Sequence, residues 1–130
     1  MRLHLMNAVV MAEDYERLRD WYVDVLELTV DSEWTEKYHY AELVREGRFV
    51  IGIASAEEMG VTPGDRTKAT VVPQFNVDDV RGFLARVKER GGAVPFGPSF
   101  EEDEGFWCGA FSDIEGNPAW VVELPGKMPS

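Results

Sequence analysis

Residues 105–124 read GFWCGAFSDIEGNPAWVVEL, in which two apolar, aromatic-rich runs flank a polar turn. The turn contains Gly116 and Asn117, residue types that tolerate a positive φ. It also contains Asp113, whose carboxylate can accept hydrogen bonds from backbone amides. Turn chemistry of this kind between two apolar runs predicts an antiparallel hairpin, with strands at 105–112 and 118–124.

The second strand of this hairpin has a defined phase, because successive side chains along a strand point to opposite faces. Trp120 and Val122 share one face, while Val121 and Glu123 share the other. This phase determines which side chains of the hairpin could meet in a site on either face of the sheet.

The pattern that contains this hairpin occurs twice in the chain. Apolar spacing and turn signals predict strand, helix, strand, strand, strand in each half, first at 3–10, 13–26, 27–31, 37–45 and 48–54. The second set follows a turn-rich connector at 55–68 and is predicted at 70–76, 78–90, 93–96, 105–112 and 118–124. A shift of 65 positions aligns Asp14 with Asp79 and Leu18 with Phe83. The sequence therefore predicts an internal repeat, with units at about 1–54 and 69–125.

The chain has 130 residues and a formal net charge of −11 at pH 7. The length predicts a single domain, 1–130. The charge argues against nucleic acid and anionic membranes as partners, because phosphate groups would be repelled. Cys108 is the only cysteine, so neither an internal disulfide nor a thiolate zinc site is expected. Since no apolar run has the length of a membrane span or signal peptide, we expect a cytoplasmic protein.

The duplicated unit resembles the vicinal oxygen chelate superfamily, which includes glyoxalase I, extradiol dioxygenases, and bleomycin- and fosfomycin-resistance proteins. The resemblance is carried by residues 12–26, AEDYERLRDWYVDVL, and by residues 111–117, FSDIEGN. It implies an α+β fold in which two βαβββ units form a curled mixed sheet around a cavity, with the helices outside. It also implies a homodimer, which in this family sometimes exchanges units between chains.

Enzymes of this family hold a divalent metal through side chains that point into the cavity. The resemblance places the expected ligands at Asn7, Val72 and Trp120, with a fourth within residues 49–53. Val72 and Trp120 have no donor atom, residues 49–53 (FVIGI) offer none, and Asn7 supplies only a neutral amide oxygen. We therefore expect no metal ligands, no cofactor and no catalytic residues.

Other reactive side chains suggest little chemistry. His4 and Glu123 could form a displaced metal site, although both have the strand phase opposite to the family ligands. Cys108 has no histidine or cation nearby in sequence that would favour a thiolate, so we expect a small core residue. The acidic run at 101–104 is predicted to be a solvated loop, the alternative being an acidic rim for a cation.

The side chains that the resembled fold would point into its cavity are amide, apolar and aromatic. We predict that ligand-binding residues are Asn7, Val9, Trp34, Tyr38, Tyr40, Gln74, Phe106 or Trp107, Trp120 and Val122. Such a lining is typical of pockets for organic molecules, and aromatic faces in a negatively charged protein favour a cationic or aromatic guest. Trp120 could instead fill the vacant metal position as a core residue.

These observations favour a metal-free, antibiotic-resistance-like protein that sequesters a small organic molecule, rather than an enzyme. One alternative is a metal-dependent lyase or oxidoreductase of the glyoxalase or dioxygenase type, with atypical ligands for Zn, Ni, Mn or Fe. Another is a protein whose cavity is packed shut and whose role is association.

Overall fold

The computed structural model describes residues 1–125. The chain divides into two compact units, unit 1 at Met1–Gly64 and unit 2 at Asp65–Ser130, and this boundary lies inside the connector predicted at 55–68. Residues 126–130 of the predicted domain lie outside the described part of the chain. That the two units fold together as one domain stays a prediction.

Unit 1 has the predicted order of elements. They are β1 (Ala8–Ala12), α1 (Tyr15–Val25), β2 (Thr29–Trp34), β3 (Tyr40–Arg45) and β4 (Arg48–Ser55). The strands form one mixed sheet in the order β1-β4-β3-β2, in which β1 is parallel to β4 and the other neighbours are antiparallel. The fully buried side chains of the unit include Leu18, Tyr22, Leu43, Ile51 and Ile53.

Unit 2 repeats this arrangement, which confirms the α+β class and the internal repeat. A short 3-10 turn at Arg66–Lys68 precedes β5 (Gln74–Asn76), α2 (Val80–Glu89), β6 (Ala93–Glu101), β7 (Phe106–Ser112) and β8 (Pro118–Glu123). The sheet order is β5-β8-β7-β6, again with only the first pair parallel. The buried core of this unit includes Val80, Leu84, Val87, Phe111 and Val121.

The two helices begin in the same way, as the sequence repeat predicts. The carboxylate of Asp14 accepts a hydrogen bond from the amide of Arg17 at 3.3 Å, and that of Asp79 accepts one from the amide of Gly82 at 3.0 Å. Each aspartate thus satisfies an amide that has no partner within the first helical turn. Neither helix within residues 1–125 has the length and apolar character required to cross a membrane.

Several predicted strand boundaries were wrong. Residues 3–7 belong to no strand, and the side chains of Leu3 and Leu5 are 84% and 87% exposed. Strand β5 begins at Gln74 rather than residue 70, because Pro73 has no amide hydrogen for the sheet. Strand β6 continues to Glu101 instead of ending at residue 96, because shifts in its register with β7 accommodate the prolines and glycine of the segment. Strand β2 covers 29–34 rather than 27–31, and β3 begins at residue 40 rather than 37.

Candidate functional site

The turn between β7 and β8 is held by hydrogen bonds among its own polar residues. Asp113 is 3% exposed, and one of its carboxylate oxygens accepts hydrogen bonds from the amides of Glu115 and Asn117 at 2.9 and 3.0 Å. The side-chain amide of Asn117 donates to both carboxylate oxygens, and Gly116 has a φ of +89°. The Asp-Ile-Glu-Gly-Asn segment therefore serves to form the turn, and it holds β8 in register.

The two faces of β8 have different surroundings, in agreement with the predicted phase. On one face, Val121 is fully buried, and the carboxylate of Glu123 accepts a hydrogen bond from the amide of Val80 at 2.9 Å. Glu123 therefore places negative charge at the N-terminus of α2, where the helix dipole favours it. On the other face, the side chain of Trp120 is 56% exposed.

Trp120 lies in a depression of about 490 Å³ on the face of the unit 2 sheet, which we call the unit 2 concavity. The surface of the concavity is mostly apolar. Its lining residues are Gln74, Phe96, Glu101, Glu104, Phe106, Cys108, Gly109, Ala110, Trp120, Val121 and Val122. The strand pairing explains this grouping, because Trp120 lies opposite Gln74 on one side and Ala110 on the other. Four of the predicted ligand-binding residues are thus brought together, namely Gln74, Phe106, Trp120 and Val122.

The aromatic pair at the start of β7 is divided between the two faces of the strand. Phe106 lines the unit 2 concavity, whereas Trp107 packs beneath the guanidinium of Arg81, whose carbon lies 4.4 Å from the ring centroid. The ring of Phe100 meets the same indole edge-on, with centroids 5.4 Å apart. Of the two residues predicted from sequence, the structure places only Phe106 in the concavity.

Cys108 also lines the concavity and is partly buried. Burial, with a further contribution from the charge of Glu101, raises the pKa of the Cys108 thiol above its usual range. The thiol is therefore protonated at neutral pH and is a poor nucleophile. The prediction that Cys108 is a core residue was wrong, because its strand phase places it on the same face of β7 as Phe106 and Ala110, where it lines the concavity.

The predicted aromatic residues of unit 1 lie around a separate depression of about 380 Å³. This depression, the unit 1 concavity, is lined by Glu33, Trp34, Thr35, Glu36, Lys37 and Tyr38. The Trp34 ring also contacts that of Tyr40, with centroids 5.6 Å apart. Val9 is 42% exposed on β1, and Asn7 immediately precedes this strand. Within residues 1–125, the Asn7 side-chain nitrogen is buried without a hydrogen-bond partner.

Sequence reasoning missed several residues of these two sites. Phe96 lines the unit 2 concavity and was not predicted to do so. Glu101 and Glu104 also line it, although the acidic run at 101–104 was predicted to be a solvated loop, with an acidic rim as the alternative. A polar cluster in unit 1 was also missed, in which Glu33 accepts hydrogen bonds from the Tyr15 hydroxyl at 2.7 Å and from Arg19 at 2.6 Å. No local motif marks this cluster, because its members come from a helix and a strand that are distant in sequence.

The residues at the positions where the resembled family binds a divalent metal do not fit such an ion. In unit 1, the β4 residue that pairs with Val9 is Gly52, and in unit 2 the β8 residue that pairs with Gln74 is Trp120. Neither side chain has an oxygen or nitrogen lone pair to donate. Across residues 1–125, no three His, Cys, Asp or Glu side chains come together in an arrangement suited to a metal.

Comparison with known proteins agrees with the fold. The sequence profile of the Glyoxalase/Bleomycin resistance protein/Dioxygenase superfamily matches residues 3–121. A search of curated proteins gives no significant match.

Solved structures share the fold at low sequence identity. A member of this superfamily from Sphaerobacter thermophilus DSM 20745 has 22% identity and a TM-score of 0.71, with 94% of this chain and 98% of that chain covered. TnmS3, an antibiotic binding protein from Streptomyces sp. CB03234, has 20% identity and a TM-score of 0.69, with 95% and 97% covered. A family enzyme from Burkholderia phytofirmans PsJN has 15% identity and a TM-score of 0.72, with 92% and 97% covered. Together, the profile match and the repeated βαβββ architecture show that the chain belongs to the glyoxalase/bleomycin resistance protein/dioxygenase superfamily.

Proposed function

We propose that the chain is a metal-free binding protein that holds a planar organic ligand against Trp120 in the unit 2 concavity. The observation that carries this proposal is the 56% exposure of a tryptophan on the wall of a mostly apolar depression of about 490 Å³. Pockets for small organic molecules have volumes of about 300–1,000 Å³ and are lined mainly by apolar and aromatic side chains. The proposal needs no catalytic group.

The aromatic residues of the unit 2 concavity supply the binding free energy in this proposal. Phe96 is 53% exposed, and Phe106 lies on the neighbouring strand β7. Stacking of a planar guest on an aromatic ring contributes about 0.5–1.5 kcal/mol beyond the burial of apolar area. Gln74 places a side-chain amide beside Trp120, where it can donate or accept a hydrogen bond that orients the guest.

The superfamily includes binding proteins as well as enzymes, and this supports the first of the three functions considered from the sequence, the sequestration of a small organic molecule. TnmS3 is described as an antibiotic binding protein, and its structure resembles that of this chain over nearly the full length. At 20% identity this likeness concerns the fold, so the ligand class for this chain rests on its own lining residues. The cytoplasmic location and the homodimer expected from the sequence remain proposals.

Binding is tested by equilibrium dialysis against planar aromatic probes of different charge: acridine, N-methylacridinium, naphthalene and anthraquinone-2-sulfonate. We expect saturable binding of at least one probe, and a loss of about 2- to 30-fold in affinity for Trp120→Ala. Trp34→Ala is the matched control, because Trp34 is similarly exposed, at 43%, but lines the unit 1 concavity. Equal losses in the two variants, or no saturable binding of any probe, would contradict the proposal.

The metal-free state requires a separate measurement. Elemental analysis of protein purified without chelators should give well below one equivalent of zinc, nickel, manganese or iron. A stoichiometric metal that survives dialysis would instead favour the alternative, a metal-dependent enzyme of the glyoxalase or dioxygenase type with atypical ligands.

A further inference from the structure

We infer that Glu101 and Glu104 make the unit 2 concavity selective for a planar organic cation over a neutral molecule of the same shape. The inference rests on the proposed function and specifies its ligand class. Glu101 ends β6 opposite Phe106, and Glu104 lies in the following turn. Both line the concavity, whereas the two acidic residues between them, Glu102 and Asp103, do not.

The two lining carboxylates are not neutralised by the described residues around them. Among residues 1–125, no lysine, arginine or histidine lines the concavity. Within residues 1–125, neither Glu101 nor Glu104 takes part in an ion pair or a side-chain hydrogen bond. An uncompensated negative charge beside an apolar surface attracts a cation more strongly than the same charge in open water, because the apolar wall lowers the local dielectric constant.

The charge of Glu101 is not confined to the edge of the concavity, because Glu101 and Cys108 line the same surface. Cys108 lies on β7 between Phe106 and Ala110, and its pKa is raised mainly by burial and further by the negative charge of Glu101. A cationic guest that reached the Cys108 region would therefore be stabilised by the Glu101 carboxylate. A guest with a negative charge would be destabilised there by the same interaction.

The exposed aromatic rings favour the same class of ligand. The faces of Trp120 and Phe96 carry partial negative charge and attract cations, with tryptophan the strongest of the aromatic side chains. A planar cation can stack on these rings and meet the carboxylates at the same time. A neutral planar molecule obtains the stacking alone, so the difference between the two guests measures the electrostatic contribution.

The test compares N-methylacridinium with acridine by equilibrium dialysis at pH 8, where acridine is neutral and the two ring systems have the same shape. We expect the wild-type protein to bind the cation about 10-fold more tightly at low salt, with the preference falling as salt is added. The double variant Glu101→Gln/Glu104→Gln should reduce the preference to within about 2-fold.

The matched control is Glu102→Gln/Asp103→Asn, which removes the same net charge from the same segment without altering the lining of the concavity. It should keep most of the preference for the cation, because neither Glu102 nor Asp103 lines the concavity. A general effect of the −11 net charge would instead reduce the preference equally in the two double variants. Equal binding of both probes by the wild type, or equal loss in both variants, would overturn the charge inference while leaving the proposed binding site in place. If neither probe nor any other member of the panel binds, the proposed function itself fails.

Discussion

In unit 1, Val9 of β1 pairs with Gly52 of β4, whereas in unit 2 Gln74 of β5 pairs with Trp120 of β8. Val9 and Gln74 are 65 positions apart, the same separation as the two helix caps, so Gly52 and Trp120 occupy equivalent places in the two sheets. A Cβ built on Gly52 would lie 2.9 Å from the hydroxyl oxygen of Tyr40, because that ring covers the glycine.

The two units therefore have the same order of strands and the same helix position, but they differ in the residue at one equivalent sheet position, Gly52 in unit 1 and Trp120 in unit 2. Unit 1 covers the position with Tyr40, a side chain from its own sheet. In unit 2 the equivalent residue is a large aromatic that remains more than half exposed. The same backbone arrangement therefore gives a filled surface in one unit and a candidate binding surface in the other.

The largest expected change in the free energy of unfolding comes from comparing substitutions on the two faces of the unit 2 sheet. Phe111 on β7 is fully buried against the rings of Phe75 and Phe83, so Phe111→Ala should lower the free energy of unfolding by about 3–5 kcal/mol. Trp120→Ala should change it by less than about 1 kcal/mol, because most of this indole is already exposed. Urea unfolding measures both values. Similar losses in the two variants would mean that the Trp120 face is covered in the folded protein, as the association hypothesis requires.

A smaller change in the free energy of unfolding is expected at the two helix caps, and it tests whether the aligned positions contribute equally in the two units. Asp14→Ala and Asp79→Ala should each lower the free energy of unfolding by about 1 kcal/mol, because each removes the side-chain acceptor that begins its helix. Asp78→Ala is the control in the same segment, and we expect a change below about 0.5 kcal/mol. A loss at only one of the two caps in urea unfolding would show that the aligned positions are not equivalent in energy.

The repeat, both helices and the hairpin phase could be predicted because their signals are local. The Asp14 and Asp79 caps, the apolar stripe of each helix and the alternation around Trp120 all fall within a few residues. Each of these features also depends on a single element or on a turn between neighbours. The structure confirms these features, and no contact between distant parts of the chain was needed to predict them.

The faces on which Phe106 and Trp107 lie could not be predicted, because they depend on the pairing between strands and not on a local signal. Phe106 and Trp107 are adjacent and both apolar, so the pairing of β7 with its neighbours decides which of them faces the concavity. In the structure Ala110 lies opposite Trp120, and Phe106, four residues from Ala110, faces the same side. The length of β6 was also hidden, because Gly97 and its neighbouring prolines indicate a turn. In the structure Gly97 has a φ of +92°, and a Cβ there would lie 2.8 Å from the Cys108 carbonyl oxygen, so the glycine permits close approach of the strands.

The smallest expected effect concerns a charged cluster that unit 1 has and unit 2 lacks at the equivalent helix position. Tyr15 donates its hydroxyl hydrogen to the Glu33 carboxylate at 2.7 Å, whereas the aligned residue Val80 has no polar side chain. Tyr15→Phe should lower the free energy of unfolding by about 0.5–1 kcal/mol at pH 7, a modest value because the Glu33 side chain is 27% exposed. The hydrogen bond from Tyr15 is the main cause that lowers the pKa of Glu33 below its ordinary value of 4.5.

The sign of the pH dependence follows from this lowered pKa. The stabilisation from the ionised Glu33 is fully present above pH 4.5, and it is lost as the pH falls through the lower pKa that Glu33 has in the folded protein. The difference in free energy of unfolding between the wild type and Tyr15→Phe should therefore shrink when urea unfolding is repeated at pH 3 to 4. Tyr38→Phe is the control, since its hydroxyl is not bonded to Glu33, and its effect should not depend on pH. A Tyr15→Phe difference that stays constant from pH 7 to pH 3 would show that the hydroxyl contributes through packing, and that the charged cluster does not distinguish unit 1 from unit 2 in stability.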